Sequence, residues 1–289
     1  MAQAGEARER LCAAHGWPKD AVELVPVLSS GDKVQDRPLA EIGGKALWTR
    51  ELDAWLLEGR IDAAVHSMKD VETLRPGAIA IAAVLPREDV RDVLLGAASV
   101  QAIPQGATLG TSAPRRAAQM LHLRPDLKVV SFRGNVATRM AKLAAGEADV
   151  TLLAAAGLAR LRERGVGTPL SLDDWLPAPA QGAIGIECRA DDEEARALLA
   201  AIDHPESRAQ VTAERGLLAA LGGSCHSPVA VLSTGIDTLT LRAALFSADG
   251  AERIERSATF AAGDASGPEG LARELLEAAP EAVARLFTG

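Results

Sequence analysis

The segment Gly110-Thr111-Ser112-Ala113-Pro114-Arg115-Arg116 carries two arginines where a helix is predicted to begin. It has the pattern of a strand end that leads through a Ser/Thr cap and an early proline into a helix. Arginines in a first helical turn oppose the helix dipole, which favours anions at that end by about 0.3–1 kcal/mol. With the free backbone N–H groups, Arg115 and Arg116 could therefore bind a carboxylate or a phosphate. A solvated arginine pair on a helix surface explains this segment equally well.

Further basic and polar residues also lie after predicted strands or at the start of predicted helices. Open α/β sheets bind ligands beyond the carboxyl ends of their strands, so basic residues after several strands favour one anion-binding crevice over separate surface charges. The ligand of such a crevice should carry several negative groups. These residues are Arg133, Gly134, Asn135 and Arg139 after the predicted strand Leu127–Ser131, Arg160 after the predicted strand Val150–Leu153, and Lys45 after Gly43-Gly44.

A lysine and a carboxylate, Lys69 and Asp70, follow the predicted buried strand Ile61–His66. They are either an ordinary surface ion pair, which contributes little to stability, or part of a site. A carboxylate at the carboxyl end of a strand can stabilise a cation or handle a proton. These residues alone leave both interpretations open.

Cys225 lies in the tight loop Leu221-Gly222-Gly223-Ser224-Cys225-His226-Ser227-Pro228. A buried, inert thiol is the common case, whereas a loop cysteine beside a histidine can be a reactive thiolate. Cys12, on the first predicted helix, and Cys188, in the predicted strand Ile184–Cys188, are interpreted as inert. Three distant cysteines without a CxxC pair predict neither a disulfide framework nor a zinc ribbon, and they fit a reducing cytosol.

Composition and pattern exclude several classes of function. A net charge of −8 and 3% aromatic residues argue against a general nucleic-acid-binding protein. Gly43-Gly44-Lys45 lacks the earlier glycine and the following Ser/Thr of a P-loop, and no GxGxxG follows a predicted strand, so ATP and NAD are not expected. The five histidines show no metal-ligand spacing. Without a long apolar run or a signal-peptide pattern, we expect a soluble cytoplasmic protein that does not bind membranes.

The remaining pattern predicts strands that alternate with helices, as in parallel βαβ units with helices on both sheet faces. Breaks rich in Pro and Gly predict crossings between domains: an α/β domain 1 at 1–87 and 183–202, an α/β domain 2 at 90–178, and an α+β domain 3 at 205–289. The strands are predicted at Val22–Leu28, Ile61–His66, Ala78–Leu85, Val93–Leu95, Thr108–Gly110, Leu127–Ser131, Val150–Leu153, Ile184–Cys188, Leu239–Phe246 and Ile254–Phe260, and the helices at Ala2–His15, Ala46–Leu57, Arg115–Leu123, Val136–Ala145, Leu158–Leu161, Ser207–Leu221 and Pro268–Leu286.

Together and in this order, the segments resemble the hydroxymethylbilane synthase (porphobilinogen deaminase) family over nearly the whole chain. The resemblance implies two periplasmic-binding-like, doubly wound α/β domains and a small third α+β domain, with a dipyrromethane cofactor bound to a cysteine through a thioether. By position, that cysteine is Cys225. The matching segments are Ile42-Gly43-Gly44-Lys45, Ala64-Val65-His66-Ser67-Met68-Lys69-Asp70, Gly110-Thr111-Ser112, Arg115-Arg116, Arg133-Gly134-Asn135, Thr138-Arg139, Ala156-Gly157-Leu158, Gln181-Gly182-Ala183 and Gly223-Ser224-Cys225.

The family's reaction is the stepwise deamination and head-to-tail condensation of four porphobilinogen molecules on the dipyrromethane primer, followed by hydrolytic release of hydroxymethylbilane. Asp70 matches the catalytic aspartate, which would stabilise the azafulvene cation that forms when porphobilinogen loses ammonia. The acetate and propionate of every pyrrole would pair with the basic residues of the crevice. The resemblance implies cofactor contacts for Ser67, Lys69, Thr111, Ser112, Arg115, Arg116, Gly134 and Asn135, and contacts to porphobilinogen or the growing polypyrrole for Lys45, Arg133, Arg139, Arg160 and Gln181. It also implies a monomer that binds no metal.

The first residues depart from the family pattern. Met1-Ala2-Gln3-Ala4 aligns inside the segment with which the family opens, so we expect the N-terminal strand and its Arg-x-Ser motif to be missing. The missing segment gives one alternative to the active enzyme, an inactive, N-terminally truncated form. The α/β halves alone would equally support another, a non-catalytic anion-binding protein of periplasmic-binding fold. The loop around Cys225, in an added third domain, favours the enzyme over the anion-binding protein.

Overall fold

The computed structural model describes residues 1–27, 49–224 and 226–287. They form two compact units, Met1–Glu88 with Gly182–Ala209 and Asp89–Gln181 with Gln210–Gly289. Lys45 and Cys225 lie outside the described residues. The first unit has bounds close to those of predicted domain 1, and the second unit contains predicted domain 2 and all of predicted domain 3 after residue 209. The division into three domains stays a prediction.

Helices and strands alternate along much of the described chain. The helices are α1 (Ala2–His15), α2 (Arg50–Leu57), α3 (Pro114–Leu123), α4 (Val136–Ala144), α5 (Ala155–Arg160), α6 (Glu193–Ala200), α7 (Pro205–Ala220), α8 (Ser266–Glu277) and α9 (Glu281–Ala284), with 3-10 helices at Lys19–Ala21 and Met68–Asp70. The strands are β1 (Ala64–Ser67), β2 (Ile79–Val84), β3 (Asp92–Leu95), β4 (Thr108–Gly110), β5 (Lys128–Val130), β6 (Val150–Ala154), β7 (Thr168–Pro169), β8 (Ile184–Arg189), β9 (Val229–Gly235), β10 (Thr238–Phe246) and β11 (Arg253–Ala261).

A three-stranded sheet of order β1-β8-β2 forms the centre of the first unit. β8 is antiparallel to both of its neighbours, so the expectation of parallel βαβ units is wrong for these strands. The central strand comes from a segment far along the chain, and no helical crossover fixes its direction relative to β1. Ile184 and Ile186 of β8 pack with Ala83 of β2 and Ala7 of α1 in the core of this unit.

A five-stranded sheet of order β5-β4-β6-β3-β7 lies in the second unit. β4 is parallel to both β5 and β6, which confirms the βαβ prediction for this part of the chain. β3 is antiparallel to β6 and β7. Leu109, Met120 and Leu152 are among the buried residues that pack on this sheet. Because β5, β4 and β6 run in one direction, their carboxyl ends lie at one edge of the sheet.

The antiparallel sheet β9-β10-β11 also belongs to the second unit. Side chains alternate between the two faces of β10. Leu241 packs with Leu217 of α7 and Leu271 of α8 on one face, and Phe246 packs with Ala118 of α3 on the other. This confirms the predicted α+β pattern of the last segment and leaves α3 packed between two sheets.

Two predicted elements differ in the structure. Residues 22–27 form no strand: Val25 is exposed, and Pro26 has no N–H to donate to a sheet. Leu28 of that prediction lies outside the described residues. The predicted C-terminal helix Pro268–Leu286 is divided into α8 and α9, because Pro280 cannot continue a helix and disfavours helical backbone at the residue before it. The mixed α/β class is confirmed, and no described helix is both long and apolar enough to cross a bilayer.

Candidate active site

The predicted anion-binding residues of the second unit follow three parallel strands. Thr111–Arg116 follow β4, Arg133–Arg139 follow β5, and Arg160 ends α5 directly after β6. Parallel strands present their carboxyl ends at the same edge of a sheet, where open α/β folds bind ligands. The structure therefore places these three segments at one edge, which we call the β4–β5–β6 edge.

Hydrogen bonds join the first of these segments to the end of β5 and the residues directly after it. The backbone N–H of Thr111 donates to the carbonyl of Val130 (2.9 Å). Oγ of Ser112 donates to the carbonyl of Phe132 (2.9 Å) and lies 3.0 Å from Oγ of Ser131. Thr111 is buried and Ser112 is exposed, so Ser112 is the more accessible of these two residues.

The turn after β5 depends on a glycine. Gly134 has a φ of +109°, and a Cβ at this position would lie 2.6 Å from the side chain of Thr138. Asn135 caps α4 by accepting a hydrogen bond from the N–H of Thr138 (2.9 Å). Nε of Arg139 donates to the carbonyl of Gly134 (2.9 Å). Arg133 and Arg139 are both half-buried.

Arg115 and Arg116 are not a solvated pair on a helix surface. Their residues are only 5% and 4% exposed, and both side chains bind the carboxylate of Asp92 on β3. Nη1 of Arg115 lies 2.5 Å from Oδ2 of Asp92. Nη2 of Arg116 lies 2.6 Å from Oδ1, and its Nη1 donates to the carbonyl of Leu152 (2.8 Å). Tertiary contacts thus direct both arginines into the unit.

Asp92 is the centre of a buried cluster that the sequence interpretation missed. Nε1 of Trp175 donates to Oδ2 (2.8 Å), and Nε2 of Gln181 donates to Oδ1 (3.0 Å). Burial alone would raise the pKa of Asp92, but Arg115 and Arg116 outweigh it and hold that pKa far below its ordinary value. A signal was present, because an aspartate adjoining the predicted buried strand Val93–Leu95 needs a charged partner.

Gln181 was predicted to contact substrate, and the structure places it inside this cluster. It is 1% exposed. Its Nε2 also donates to the carbonyl of Val90 (2.7 Å), and its Oε1 lies 3.4 Å from Nη2 of Arg115. The described contacts of Gln181 therefore orient Arg115 and Asp92.

Asp70 lies in the first unit at the end predicted for it. It ends the 3-10 helix Met68–Asp70, which directly follows β1. Met68 and Val71 on either side are buried, whereas Asp70 is exposed and Lys69 is half-buried. A Cβ at Gly185 of β8 would lie 2.0 Å from Sδ of Met68, so this glycine makes room for the methionine beneath the turn. Buried apolar side chains thus hold the turn in place, whereas Asp70 is exposed to solvent.

A second cluster of charges joins β1, β8 and the connection after β1, and sequence reasoning missed it as well. The guanidinium of Arg75 forms two parallel hydrogen bonds with the fully buried carboxylate of Glu187 on β8, at 2.8 Å each. Nε2 of His66 lies 3.2 Å from Oε2 of Glu187. Burial would raise the pKa of Glu187, but His66 and Arg75 outweigh it and lower that pKa. Segments distant in the sequence supply these groups, so no local pattern indicated the cluster.

The described cysteines behave as expected from the sequence. Cys12 and Cys188 are buried free thiols, and burial raises the pKa of Cys188. The residues on either side of Cys225 form a tight turn, in which the N–H of Ser224 donates to Oγ of Ser227 (3.0 Å) and the N–H of His226 donates to Oγ of Ser224 (3.2 Å). Neither described cysteine is therefore accessible for a covalent role.

Two family models match this chain. They are "Porphobilinogen deaminase, dipyromethane cofactor binding domain" over residues 1–197 and "Porphobilinogen deaminase, C-terminal domain" over residues 208–279. The porphobilinogen deaminase of Sphingopyxis alaskensis is 54% identical over 294 residues, covering 99% of this chain and 93% of the relative. That of Paracoccus denitrificans is 50% identical over 289 residues, covering 97% of this chain and 91% of the relative.

One solved structure to which this chain is similar belongs to a periplasmic domain. The Bordetella pertussis BvgS periplasmic VFT2 domain matches with a TM-score of 0.40 and 17% identity, covering 70% of this chain and 76% of that chain. A likeness of this size carries no argument about function.

Proposed function

This chain belongs to the porphobilinogen deaminase family, and from that premise we propose which of its residues carry out the family's reaction. It is a transferase of porphyrin biosynthesis that deaminates porphobilinogen and condenses it head to tail into hydroxymethylbilane, with a dipyrromethane cofactor as primer. The family decides between the enzyme and the non-catalytic anion-binding protein in favour of the enzyme. The residue assignments below are proposals.

The observation that supports these assignments is that basic residues follow all three parallel strands at the β4–β5–β6 edge. Every pyrrole of the cofactor and of the growing chain bears two carboxylates, so a site for them needs several fixed cations. Arg133, Arg139 and Arg160 follow β5 and β6 at this edge, and Arg115 and Arg116 follow β4. Charge-assisted pairs between guanidinium and carboxylate groups are strong and directional, which suits the recognition of a polycarboxylate.

The Asp92 cluster fits a carboxylate-bearing cofactor. Two guanidinium groups share one carboxylate, so the cluster keeps one net positive charge. In addition, Nε of Arg115 is buried without a hydrogen-bond partner among the described residues, and a buried donor without an acceptor costs free energy. A cofactor carboxylate would supply both the missing charge and the missing acceptor. Bound to the chain, dipyrromethane supplies the pyrrole carbon to which the first porphobilinogen is joined.

Asp70 is assigned the catalytic role. Its exposed carboxylate lies at the carboxyl end of β1, held between the buried Met68 and Val71. As porphobilinogen loses ammonia, positive charge develops on its pyrrole ring. A carboxylate placed against the pyrrole N–H would stabilise that charge more in the transition state than in the ground state.

The other residues are assigned either to the cofactor or to the substrate and growing chain. Contacts to the cofactor are proposed for Ser67, Lys69, Thr111, Ser112, Arg115, Arg116, Gly134 and Asn135. Contacts to porphobilinogen and the polypyrrole are proposed for Lys45, Arg133, Arg139 and Arg160, and an indirect role is proposed for Gln181. Because the described bonds of Gln181 go to its own cluster, it would act by orienting Arg115.

The covalent attachment is proposed for Cys225, because the described cysteines are buried. Intact-mass analysis should find an adduct of two pyrrole units on the purified protein. The adduct should be absent from Cys225→Ser and present in Cys12→Ser, the matched control. Peptide mapping that places the adduct on Cys12 or Cys188 would overturn the assignment.

We also propose that the chain works as a cytoplasmic monomer without metal, nucleic acid or membrane partners. Free thiols in the described cysteines and the acidic net charge of −8 support this proposal. Sedimentation analysis of the cofactor-loaded protein, with and without a metal chelator, tests it. A stable dimer, or loss of turnover on chelation, would contradict it.

A further inference from the structure

The connection between β1 and β2 carries Asp70 at its start and Arg75 near its end. At the start, the N–H of Met68 donates to the carbonyl of Ala183 (3.1 Å), which holds the turn to the segment before β8. Val71, the residue directly after Asp70, is buried, with only 5% of its surface exposed. The four residues from Glu72 to Arg75 have no regular secondary structure. Contacts of the Arg75 side chain help to hold them in place.

Arg75 supplies those contacts from one guanidinium group whose side chain is only 8% exposed. It binds both oxygens of Glu187 on β8. Its Nη2 also lies 2.5 Å from Oδ1 of Asp53 on α2. Its Nη1 donates to Oε2 of Glu72 (2.8 Å), which in turn accepts a hydrogen bond from Oγ1 of Thr49 (2.8 Å). One side chain thus joins the connection to a strand and to a helix.

The chemistry of the cluster requires an arginine. Burial alone would lower the pKa of Arg75, but Asp53 and Glu187 outweigh it and raise that pKa. Only a planar guanidinium can make parallel bonds to Glu187 and still present its remaining donors to other carboxylates. A lysine would keep the positive charge but could not make the parallel hydrogen bonds. Mutation to lysine can therefore separate the effect of the charge from the effect of the hydrogen-bond geometry.

We propose that Arg75 is a positioning residue for the reaction, which clamps the β1–β2 connection onto β8 and α2 and thereby fixes the carboxylate of Asp70. This inference rests on the proposed catalytic role of Asp70. Arg75 contacts neither substrate nor cofactor in this proposal and acts only through the backbone that links it to Asp70. A displacement of a catalytic group by about 1 Å can lower a rate by about 100-fold.

A double-mutant cycle tests the proposal. kcat and KM for porphobilinogen are measured for the wild type, Arg75→Gln, Asp70→Asn and the double variant, each normalised to the fraction of molecules that carry dipyrromethane by intact mass. Arg75→Gln should lower kcat by about 10- to 100-fold with little change in KM, since only transition-state stabilisation is lost. In the Asp70→Asn background the same substitution should have almost no further effect.

Two further variants separate positioning from general stability. Arg75→Lys keeps a positive charge opposite Glu187, so it should fold even if Arg75→Gln does not, and its kcat should also be reduced. Arg189→Gln is the matched control: Arg189 ends β8, and its guanidinium donates to the carbonyl of Leu56 (3.1 Å) and pairs with Asp192. It should lower the melting temperature without lowering kcat.

Three results would overturn the inference. The first is wild-type kcat in both Arg75 variants, and the second is a loss of equal size in the wild-type and Asp70→Asn backgrounds. In either case, reduced turnover of Asp70→Asn would leave the proposed function standing. The third is wild-type turnover of Asp70→Asn, which would remove the catalytic role of Asp70 together with the positioning role of Arg75.

Discussion

Nη1 of Arg115 lies 2.5 Å from Oδ2 of Asp92, and their side chains are only 6% and 0% exposed. The same carboxylate binds Arg116 through its other oxygen. This arrangement explains how two arginines can begin α3 against the helix dipole: their charge is directed into the unit and partly neutralised there. It also leaves one net positive charge in a fixed position at the β4–β5–β6 edge.

Asp92→Asn should be strongly destabilising. The amide keeps the volume of the side chain, but it leaves two buried guanidinium groups without a counter-charge, and breaking a buried ion pair in this way costs about 3–5 kcal/mol. Urea denaturation at neutral pH measures the change. Asp126→Asn, which removes an ion pair to Arg124 on the surface, should have a much smaller effect. Equal effects of the two substitutions would contradict a central role for Asp92.

Arg133→Glu should impair chain elongation or cofactor assembly while the fold persists. One lost charge-assisted pair is worth about 1.5–3 kcal/mol, which corresponds to about a 10- to 100-fold loss of turnover. The control is Lys128→Glu, which makes the same charge change at the amino end of β5. Steady-state turnover and circular dichroism compare the two variants. If Arg133→Glu turns over at the wild-type rate, the β4–β5–β6 edge is not the polypyrrole site.

Asp70→Asn should lower turnover by about 100- to 1,000-fold with little change in melting temperature, because it removes a stabilising charge from an exposed side chain. Asp62→Asn, an equally conservative change of an exposed aspartate before β1, should turn over normally. Stopped-flow measurement of ammonia release from pre-loaded protein would locate the defect at deamination. Normal release by Asp70→Asn would exclude the catalytic assignment.

Glu187→Gln should destabilise the protein at neutral pH and progressively less in acid. The pKa of Glu187 is lowered in the folded protein, so its stabilising effect is complete above the unfolded value of about 4.3. That effect is lost as the pH falls through the lower folded value. The difference in unfolding free energy between wild type and variant should therefore shrink below about pH 4.3.

Urea titrations across that range measure the pH dependence. Glu147→Gln serves as the control, because its carboxylate is half-exposed beside Lys142, and it should change stability little at any pH. A difference between wild type and Glu187→Gln that is constant from neutral to acidic pH would show that Glu187 does not act through its charge.

Local patterns predicted most of the helices and strands of the described chain. Strands such as Ile79–Val84 and helices such as Val136–Ala144 lie within a residue or two of their predicted bounds, because apolar periodicity and capping are local properties. Strand pairing was predicted less well. The parallel pairs β4–β5 and β4–β6 followed from short βαβ connections, whereas the antiparallel insertion of β8 between β1 and β2 joins distant segments, and no local signal specifies it.

The sequence by itself determined the family, the position of Asp70 at the carboxyl end of β1, and the succession of basic residues after β4, β5 and β6. These features depend on residue order and short-range periodicity, which the amino-acid sequence contains. Only the tertiary structure decided where the side chains point. Arg115 and Arg116 turn inward to Asp92, and Gln181 binds the same cluster. Arg75 holds the Asp70 connection to Glu187. The reason is that a buried charge must find its partner wherever the folded chain brings one, and such partners in this protein are separated by many residues of sequence.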